Sequence, residues 1–140
     1  MAEYTAVAIQ TVAENENILF TDTAICGNGS IYHRGGSGQI TLRGITVQCR
    51  ARFKVTFGAN IAIPTGGTVE AISAAIAVNG EALASSTMIS TPAATEEFNN
   101  IGRSIYIDVP VGCCLTISIK NTSTQPIEVQ NATLIVERVA

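Results

Sequence analysis

Apolar and polar residues alternate along most of this chain. No segment keeps an apolar period of 3.6 residues, whereas a period of two recurs, and Pro and Gly fall between the alternating runs. The clearest run is 49–59, where one face carries Ala51, Phe53, Val55 and Phe57 and the other carries Arg50, Arg52, Lys54 and Thr56. Such alternation predicts half-buried β-strands.

The pattern predicts about ten strands and almost no helix, which is typical of a β-sandwich or barrel. The dipeptide Asn79-Gly80 predicts a type I′ hairpin turn, which needs positive φ at both central positions. The predicted strands are 5–12, 17–20, 30–33, 39–42, 49–59, 68–78, 81–90, 101–109, 114–121 and 127–139.

Two predicted strands are apolar on both faces, and such strands are covered on both sides. In the last strand, Ile127 and Val129 lie at odd-numbered positions, whereas Leu134 and Val136 lie at even-numbered positions. In a regular strand the two pairs would therefore point to opposite faces. A β-bulge or a strand central to two layers would explain this, and so would a subunit interface, which we favour. The interface is predicted to comprise Ile72, Ala74, Ile76, Val78, Leu134 and Val136.

Composition supports self-association. The 140 residues fit one domain, 1–140, with 46% hydrophobic and only 14% charged residues, against about 25% charged in typical domains. So few charges suggest that copies of the chain cover part of its surface. The net charge is −3 and the cations are scattered, which argues against nucleic acid as a partner.

Two sequence features bear on where the chain is found. No apolar run is long enough for a transmembrane helix, so no membrane partner is predicted. The residues after Met1 lack a basic segment followed by an apolar one, which predicts synthesis in a cytoplasm without a secretory signal.

Candidate chemistry is sparse. His33 is the sole histidine, and we interpret it as a surface or interface residue, since nothing pairs it with a nucleophile. Adjacent Cys113 and Cys114 would point to opposite faces of a strand, which disfavours a zinc site. Glu96 and Glu97 form the best acidic cluster, interpreted as a solvated loop. We therefore predict no enzyme activity, no metal and no cofactor.

Two further sets of residues leave alternatives open. The four cysteines, Cys26, Cys49, Cys113 and Cys114, are predicted to be reduced and buried, the alternative being a disulfide formed after release, between subunits. The basic row Arg50, Arg52 and Lys54 is either a solvated face or is matched to carboxylates such as Glu70 or Glu128.

Three segments carry a family resemblance. The glycine turn and short strand Gly36-Ser37-Gly38-Gln39-Ile40-Thr41-Leu42, the long strand from Arg50 to Phe57 and the late hairpin from Asp108 to Ile117 resemble the tumour necrosis factor and complement globular-head jelly roll. The resemblance spans nearly the whole chain. It implies an antiparallel jelly-roll sandwich of ten strands in two sheets, a homotrimer, and both termini at the base of that trimer.

The composition, rich in Ala, Thr and Ile, is similar to bacterial and phage versions of this family. With four Phe, three Tyr and no Trp, a trimer interface would be built from Ile, Val and Ala. Since a collagen-like Gly-X-Y stalk is absent, we expect a non-catalytic phage capsid decoration or head-fibre protein on the virion surface, with other virion proteins as partners.

The alternative is a receptor- or carbohydrate-binding head on a bacterial cell or spore surface. Jelly rolls present loops at one end, and loops carry function. The candidate apical-loop residues are Asn28, Arg34, Glu96, Glu97 and Asn99.

Overall fold

The alternating segments form two antiparallel sheets that face each other. The computed structural model describes residues 2–25 and 29–139. Within these residues the strands are β1 Ala2–Ala6, β2 Gln10–Val12, β3 Asp22–Ile25, β4 Ile31–His33, β5 Ile40–Arg43, β6 Arg50–Ala62, β7 Ile72–Val78, β8 Glu81–Ala82, β9 Met88–Ser90, β10 Asn99–Pro110, β11 Cys114–Asn121 and β12 Ile127–Arg138. A single 3₁₀ turn, Ala84–Ser86, lies between β8 and β9.

The strand order is that of a jelly roll. The first sheet runs β10-β6-β12-β1-β3, with β2 also paired to β12, and the second runs β4-β5-β11-β7-β8, with β9 also paired to β7. No helix in 2–25 or 29–139 has the length and apolar character needed to cross a bilayer. The predicted fold class, an all-β jelly-roll sandwich, is confirmed.

The core lies between the two sheets. Phe20, Phe53 and Phe57 are its largest fully buried side chains, and the Phe20 and Phe57 rings meet edge to face with centroids 6.4 Å apart. Aliphatic side chains from both sheets fill the remaining space. Each fully buried Phe, Ile or Leu contributes about 1.5–3 kcal/mol, so the single chain has a substantial core of its own.

The predicted subunit interface is wrong for most of its members. Ile72, Ala74, Ile76, Leu134 and Val136 are fully buried inside one chain, and Val78 is partly buried against the same core. Their side chains point between the sheets, so another subunit cannot contact them. A charge at Ile76 would therefore disrupt the fold itself, before any assembly.

A β-bulge explains the change of parity in β12. The pairing of β12 with β6 shifts between Gln130 and Thr133, and Asn131 has a φ of 55°. The extra residue turns the strand over, so Ile127 and Val129 before it and Leu134 and Val136 after it all reach the core. Of the alternatives, the bulge is the correct one.

The opposite face of β7 is covered within the chain as well. Ala75 and Ala77 are almost fully buried although they point away from the core. Lys120 lies opposite Ala75 in the register, and its Nζ donates a hydrogen bond of 3.0 Å to the carbonyl of Gly80. The aliphatic stem of Lys120 therefore runs over the alanines while its charge stays at the surface.

Several boundaries differ from the predicted ones because backbone bonds redirect the chain. The predicted strand 5–12 is divided into β1 and β2, and 81–90 is divided by the 3₁₀ turn, where Ser86 Oγ accepts a hydrogen bond from the Ile76 amide. Segment 17–20 is not a strand, although Ile18 and Phe20 are buried. Strand β3 was not predicted at all, since Asp22-Thr23-Ala24-Ile25 has little alternation.

The Asn79-Gly80 turn gives a direct test of the fold. Asn79 and Gly80 have φ of 52° and 84°, as a type I′ turn requires. We expect Gly80→Val to destabilise the protein by about 1–2 kcal/mol, because a β-branched residue resists positive φ. Gly80→Asn is the control and should cost less, since Asn tolerates this region. Thermal unfolding measures both, and equal melting temperatures for the Val variant and the wild type would contradict the turn.

Candidate functional surfaces

The outer face of the first sheet is open and flat at its centre. Gly58 of β6 lies opposite Gly102 of β10, and Thr56 lies opposite Ser104 with their hydroxyl oxygens 3.1 Å apart. Thr133 and Ile135 of β12 continue the same face beside Gly58 and Thr56. We call these six residues the platform: Thr56, Gly58, Gly102, Ser104, Thr133 and Ile135. Because none of them has a long or charged side chain, another backbone could approach the platform closely.

A cluster of charged side chains lies on the same face of this sheet, further along β6 and β10 than Thr56 and Ser104. Asp108 of β10 accepts two hydrogen bonds from Arg52 of β6, at 2.7 Å from Nε and 3.1 Å from Nη2, and Arg50 lies 3.5 Å from the same carboxylate. Arg50 and Arg52 of the basic row are thus matched to a carboxylate, as one alternative held, but the partner is Asp108. Glu70 instead accepts hydrogen bonds from Thr124 and Gln125.

This cluster shifts the pKa of both main partners. The hydrogen bond from Arg52 is the largest effect and lowers the pKa of Asp108 below its usual value near 3.8. Desolvation opposes it, and the charges of Arg52 and Arg50 make smaller contributions that lower the pKa further. The same hydrogen bond raises the pKa of Arg52. The carboxylate therefore stays ionised and fixes the register of β10 against β6 at this end.

A polar groove lies where the edges of the two sheets meet. It has a volume of about 310 Å³ and runs between β9 and β10, from Thr87 to Ile89 on one side and from Asn100 to Arg103 on the other. Arg103 crosses it to donate a hydrogen bond of 2.8 Å to the carbonyl of Ser85. Strand β10 is the outermost strand of its sheet, so backbone groups on its free side are open to a partner strand.

His33 is half-buried and packs against its own chain, whereas a surface or interface residue was predicted. Its ring packs on Tyr4 with centroids 4.5 Å apart and on Phe20 at 6.5 Å. Nε2 lies 2.7 Å from the carbonyl oxygen of Ser37, while Nδ1 is buried without a hydrogen-bond partner in the described residues. Because a carbonyl oxygen can only accept, Nε2 carries the N–H that donates to Ser37. His33 thus closes the apolar core at the β4 edge.

The predicted apical residues do not form one cluster. Arg34 lies in the β4–β5 hairpin, whose backbone bonds to Phe20. Glu96 has a φ of 60°, donates its amide to the Ile63 carbonyl and accepts a hydrogen bond from Thr65 Oγ1. Strand β4 forms one edge of the second sheet, and β8 and β9 lie at its other edge. Strand β10, which follows Glu96, packs against β9. Arg34, which follows β4, and Glu96 therefore lie at opposite edges of the sandwich. Glu97 is exposed, Asn99 begins β10, and Asn28 lies outside the described residues.

The cysteines are exposed, contrary to the prediction that they are buried. Cys49, Cys113 and Cys114 are free and exposed, and Cys26 lies outside the described residues. Cys114 begins β11, where it pairs with Arg43, and the other two lie in loops. In 2–25 and 29–139 no three His, Cys, Asp or Glu side chains come together in a way that could hold a metal ion.

The fold matches solved structures of the tumour necrosis factor and complement type. The globular domain of zebrafish complement 1qA aligns with a TM-score of 0.71 at 8% identity, covering 99% of this chain and 96% of that one. The Eiger tumour necrosis factor of S. frugiperda aligns at 0.69 and 10% identity, with coverage of 99% and 91%. Murine APRIL aligns at 0.64 and 8%, with coverage of 97% and 98%. No protein-family model and no curated protein sequence matches the chain.

These alignments confirm the jelly-roll topology that the sequence motifs predicted. At such low identity a structural match establishes the fold and carries no binding property from one protein to another. The platform was missed by sequence reasoning, although two glycines within long alternating strands, Gly58 and Gly102, were a signal for it.

The Arg52–Asp108 pair predicts a pH-dependent stability. Because the pKa of Asp108 is lowered in the folded protein, its stabilising effect is present at neutral pH and is lost as pH falls through that lowered value. We expect Asp108→Asn to lower the melting temperature slightly at about pH 7, with the difference from wild type vanishing as pH falls below the lowered pKa of Asp108. Arg52→Gln should reproduce the effect, and the double variant should add little. A difference that is the same at every pH would contradict this assignment.

Proposed function

We propose that this chain is a non-catalytic head domain of the tumour necrosis factor and complement type that assembles as a homotrimer. The observation that carries the proposal is the platform. A solvent-exposed sheet face usually bears long polar side chains on alternate positions, whereas the centre of this one has Gly, Thr, Ser and Ile. A flat uncharged face of this kind suits contact with another subunit.

An aromatic residue next to the platform supports the same assignment. Tyr106 of β10 is 64% exposed beside the platform, and aromatic residues with a polar end are enriched in interfaces. The outer edge of β10 is also open along the polar groove. Platform and edge are adjacent on one strand, so each subunit offers a flat face and an edge to its neighbours, which is the heterologous arrangement that closes into a ring.

As to biological role, we propose a structural component of a phage particle, a capsid decoration or head-fibre protein on the virion surface that contacts other virion proteins. The resemblance to short bacterial and phage heads and the low content of charged residues support this role. A threefold-symmetric particle fits the threefold positions of an icosahedral shell.

Particle mass tests the trimer. We expect light scattering with in-line size exclusion to give a mass near three chains for the wild type under reducing conditions. Ser104→Arg should give a folded monomer, because a buried unpaired guanidinium in the platform opposes association. Thr41→Arg, on the outer face of the second sheet, is the matched control and should keep the wild-type mass. A wild-type monomer, or equal masses for both variants, would contradict the proposal.

The proposed role has a separate test. We expect peptides of this chain in gradient-purified phage particles of its native source, at a constant ratio to the major capsid protein by quantitative mass spectrometry. Recovery solely in the soluble fraction would contradict a virion role. Retention of a defined glycan by the purified protein would favour the alternative, a carbohydrate-binding head.

A further inference from the structure

Two loops and the end of β12 meet at one end of the sandwich, which we call the base. Loop 44–49 and turn 110–113 are joined by backbone hydrogen bonds from Gly44 to the Cys113 carbonyl at 2.9 Å, from Gly112 to the Gly44 carbonyl at 3.1 Å and from Val111 to the Cys49 carbonyl at 3.1 Å. The Val139 amide donates to the Arg52 carbonyl close by, at 2.9 Å. The base is therefore one surface, in which the loops hold each other.

Gly44 makes this close approach possible. A Cβ atom at this position would lie 2.1 Å from the carbonyl oxygen of Pro110, which is far inside van der Waals contact. The loops therefore have a fixed relative position, and groups displayed by them form a preorganised surface.

The base exposes apolar side chains and thiols together. Ile45 is 56% exposed, Val111 is 50% exposed and Val47 is fully exposed. Cys49, Cys113 and Cys114 lie in or beside the same two loops, and all three are exposed and free. Cysteine is among the residues most often buried, and exposed apolar patches mark interaction sites. The exposed thiols and apolar side chains of the base therefore indicate a binding surface.

The arginines near the base are engaged by their own chain. Arg138 donates to the Ile45 carbonyl at 2.6 Å and to Ser30 Oγ at 3.2 Å. Arg43 lies over the Tyr32 ring, 5.8 Å from its centroid, and Arg50 lies beside Asp108. Since these guanidinium groups already have partners, the base offers apolar and thiol contacts, which favours a protein occupant over the phosphate groups of a lipid surface.

We propose that the base docks against the base of a second copy of this chain, and that its thiols join the two copies by disulfide bonds. A twofold axis places the same patch on both sides of the contact. The apolar side chains of one copy would then contact those of the other, and the thiols of one copy would face the thiols of the other. This contact is distinct from the platform. If the platform closes a trimer, base-to-base pairing joins two trimers into a six-chain particle of dihedral symmetry.

The covalent step needs an oxidant, which we take to be a small-molecule disulfide such as oxidised glutathione. A thiolate of one copy attacks it, forming a mixed disulfide and releasing one small thiol. A thiolate of the second copy then attacks the protein sulfur of that mixed disulfide and releases the other small thiol. Two protein thiols are oxidised to one disulfide, and one small disulfide is reduced to two thiols.

Covalent pairing is tested on the full chain in buffers of increasing ratio of oxidised to reduced glutathione. We expect a two-chain band on non-reducing gels, reversed by dithiothreitol, with peptide mapping that assigns the bond to Cys49, Cys113 or Cys114 across copies. A variant with all three changed to serine keeps Cys26 and should lose the band. Persistence of the band in that variant, an intrachain disulfide, or glutathione adducts alone would overturn the proposal.

The apolar contact is tested without disulfides, in dithiothreitol. We expect Val47→Glu to weaken reversible association of the wild type at least tenfold by sedimentation. Val7→Glu is the matched control, because Val7 is 62% exposed and lies beyond Ala6, at the opposite end of β1 from the base. Equal effects of the two variants would overturn the contact. Binding of phosphatidylserine vesicles by the wild type and not by Val47→Glu would reassign the base to a lipid surface.

These outcomes separate the two proposals. If the platform trimer fails and the base contact holds, the mass is two chains under oxidising conditions and falls towards one in reductant at low concentration. If the trimer holds and the base contact fails, the mass remains three chains with or without oxidant.

Discussion

Burial of aliphatic and aromatic side chains between two sheets is the interaction on which the rest of this structure depends. The inward faces of β6, β7, β11 and β12 interdigitate around Phe20, Phe53 and Phe57, and their burial supplies the main driving force for folding. Since this core is complete within one chain, most side chains on the outer surface are not part of it. They are free to serve contacts with other molecules, which is why the platform and the base can be read as functional surfaces.

Much of the fold could be predicted from the sequence, because side-chain alternation reports directly on burial in a sheet. Strand β11 begins and ends where its alternation does, and Asn79-Gly80 adopts the turn that its residues favour. Segment 17–20 shows the limit of the method. Ile18 and Phe20 are buried as their hydrophobicity requires, yet the backbone bonds irregularly to Ile119 and Ser37, and no local pattern encodes such long-range partners.

The surfaces were harder to predict than the fold. Apolar residues on both faces of β7 suggested a subunit contact, but Lys120 covers the outer alanines and the opposite sheet covers the inner face. Sequence pattern shows that a residue is buried and does not show whether its own chain or another buries it. The cysteines show the opposite error, because they were expected to be buried and are exposed. They lie on a surface that is shaped by the contact between Gly44 and Pro110, which are far apart in sequence.

The bulge at Asn131 divides β12 into two halves whose pairings are independent. Residues before Asn131 pair with β2 and with the C-terminal end of β6. Residues after it pair with β1 and with the N-terminal part of β6. In an unbroken strand a slip by one residue turns every side chain to the wrong face. Here the inward-facing apolar residues change from odd to even positions across Asn131, so the core specifies the register of each half separately.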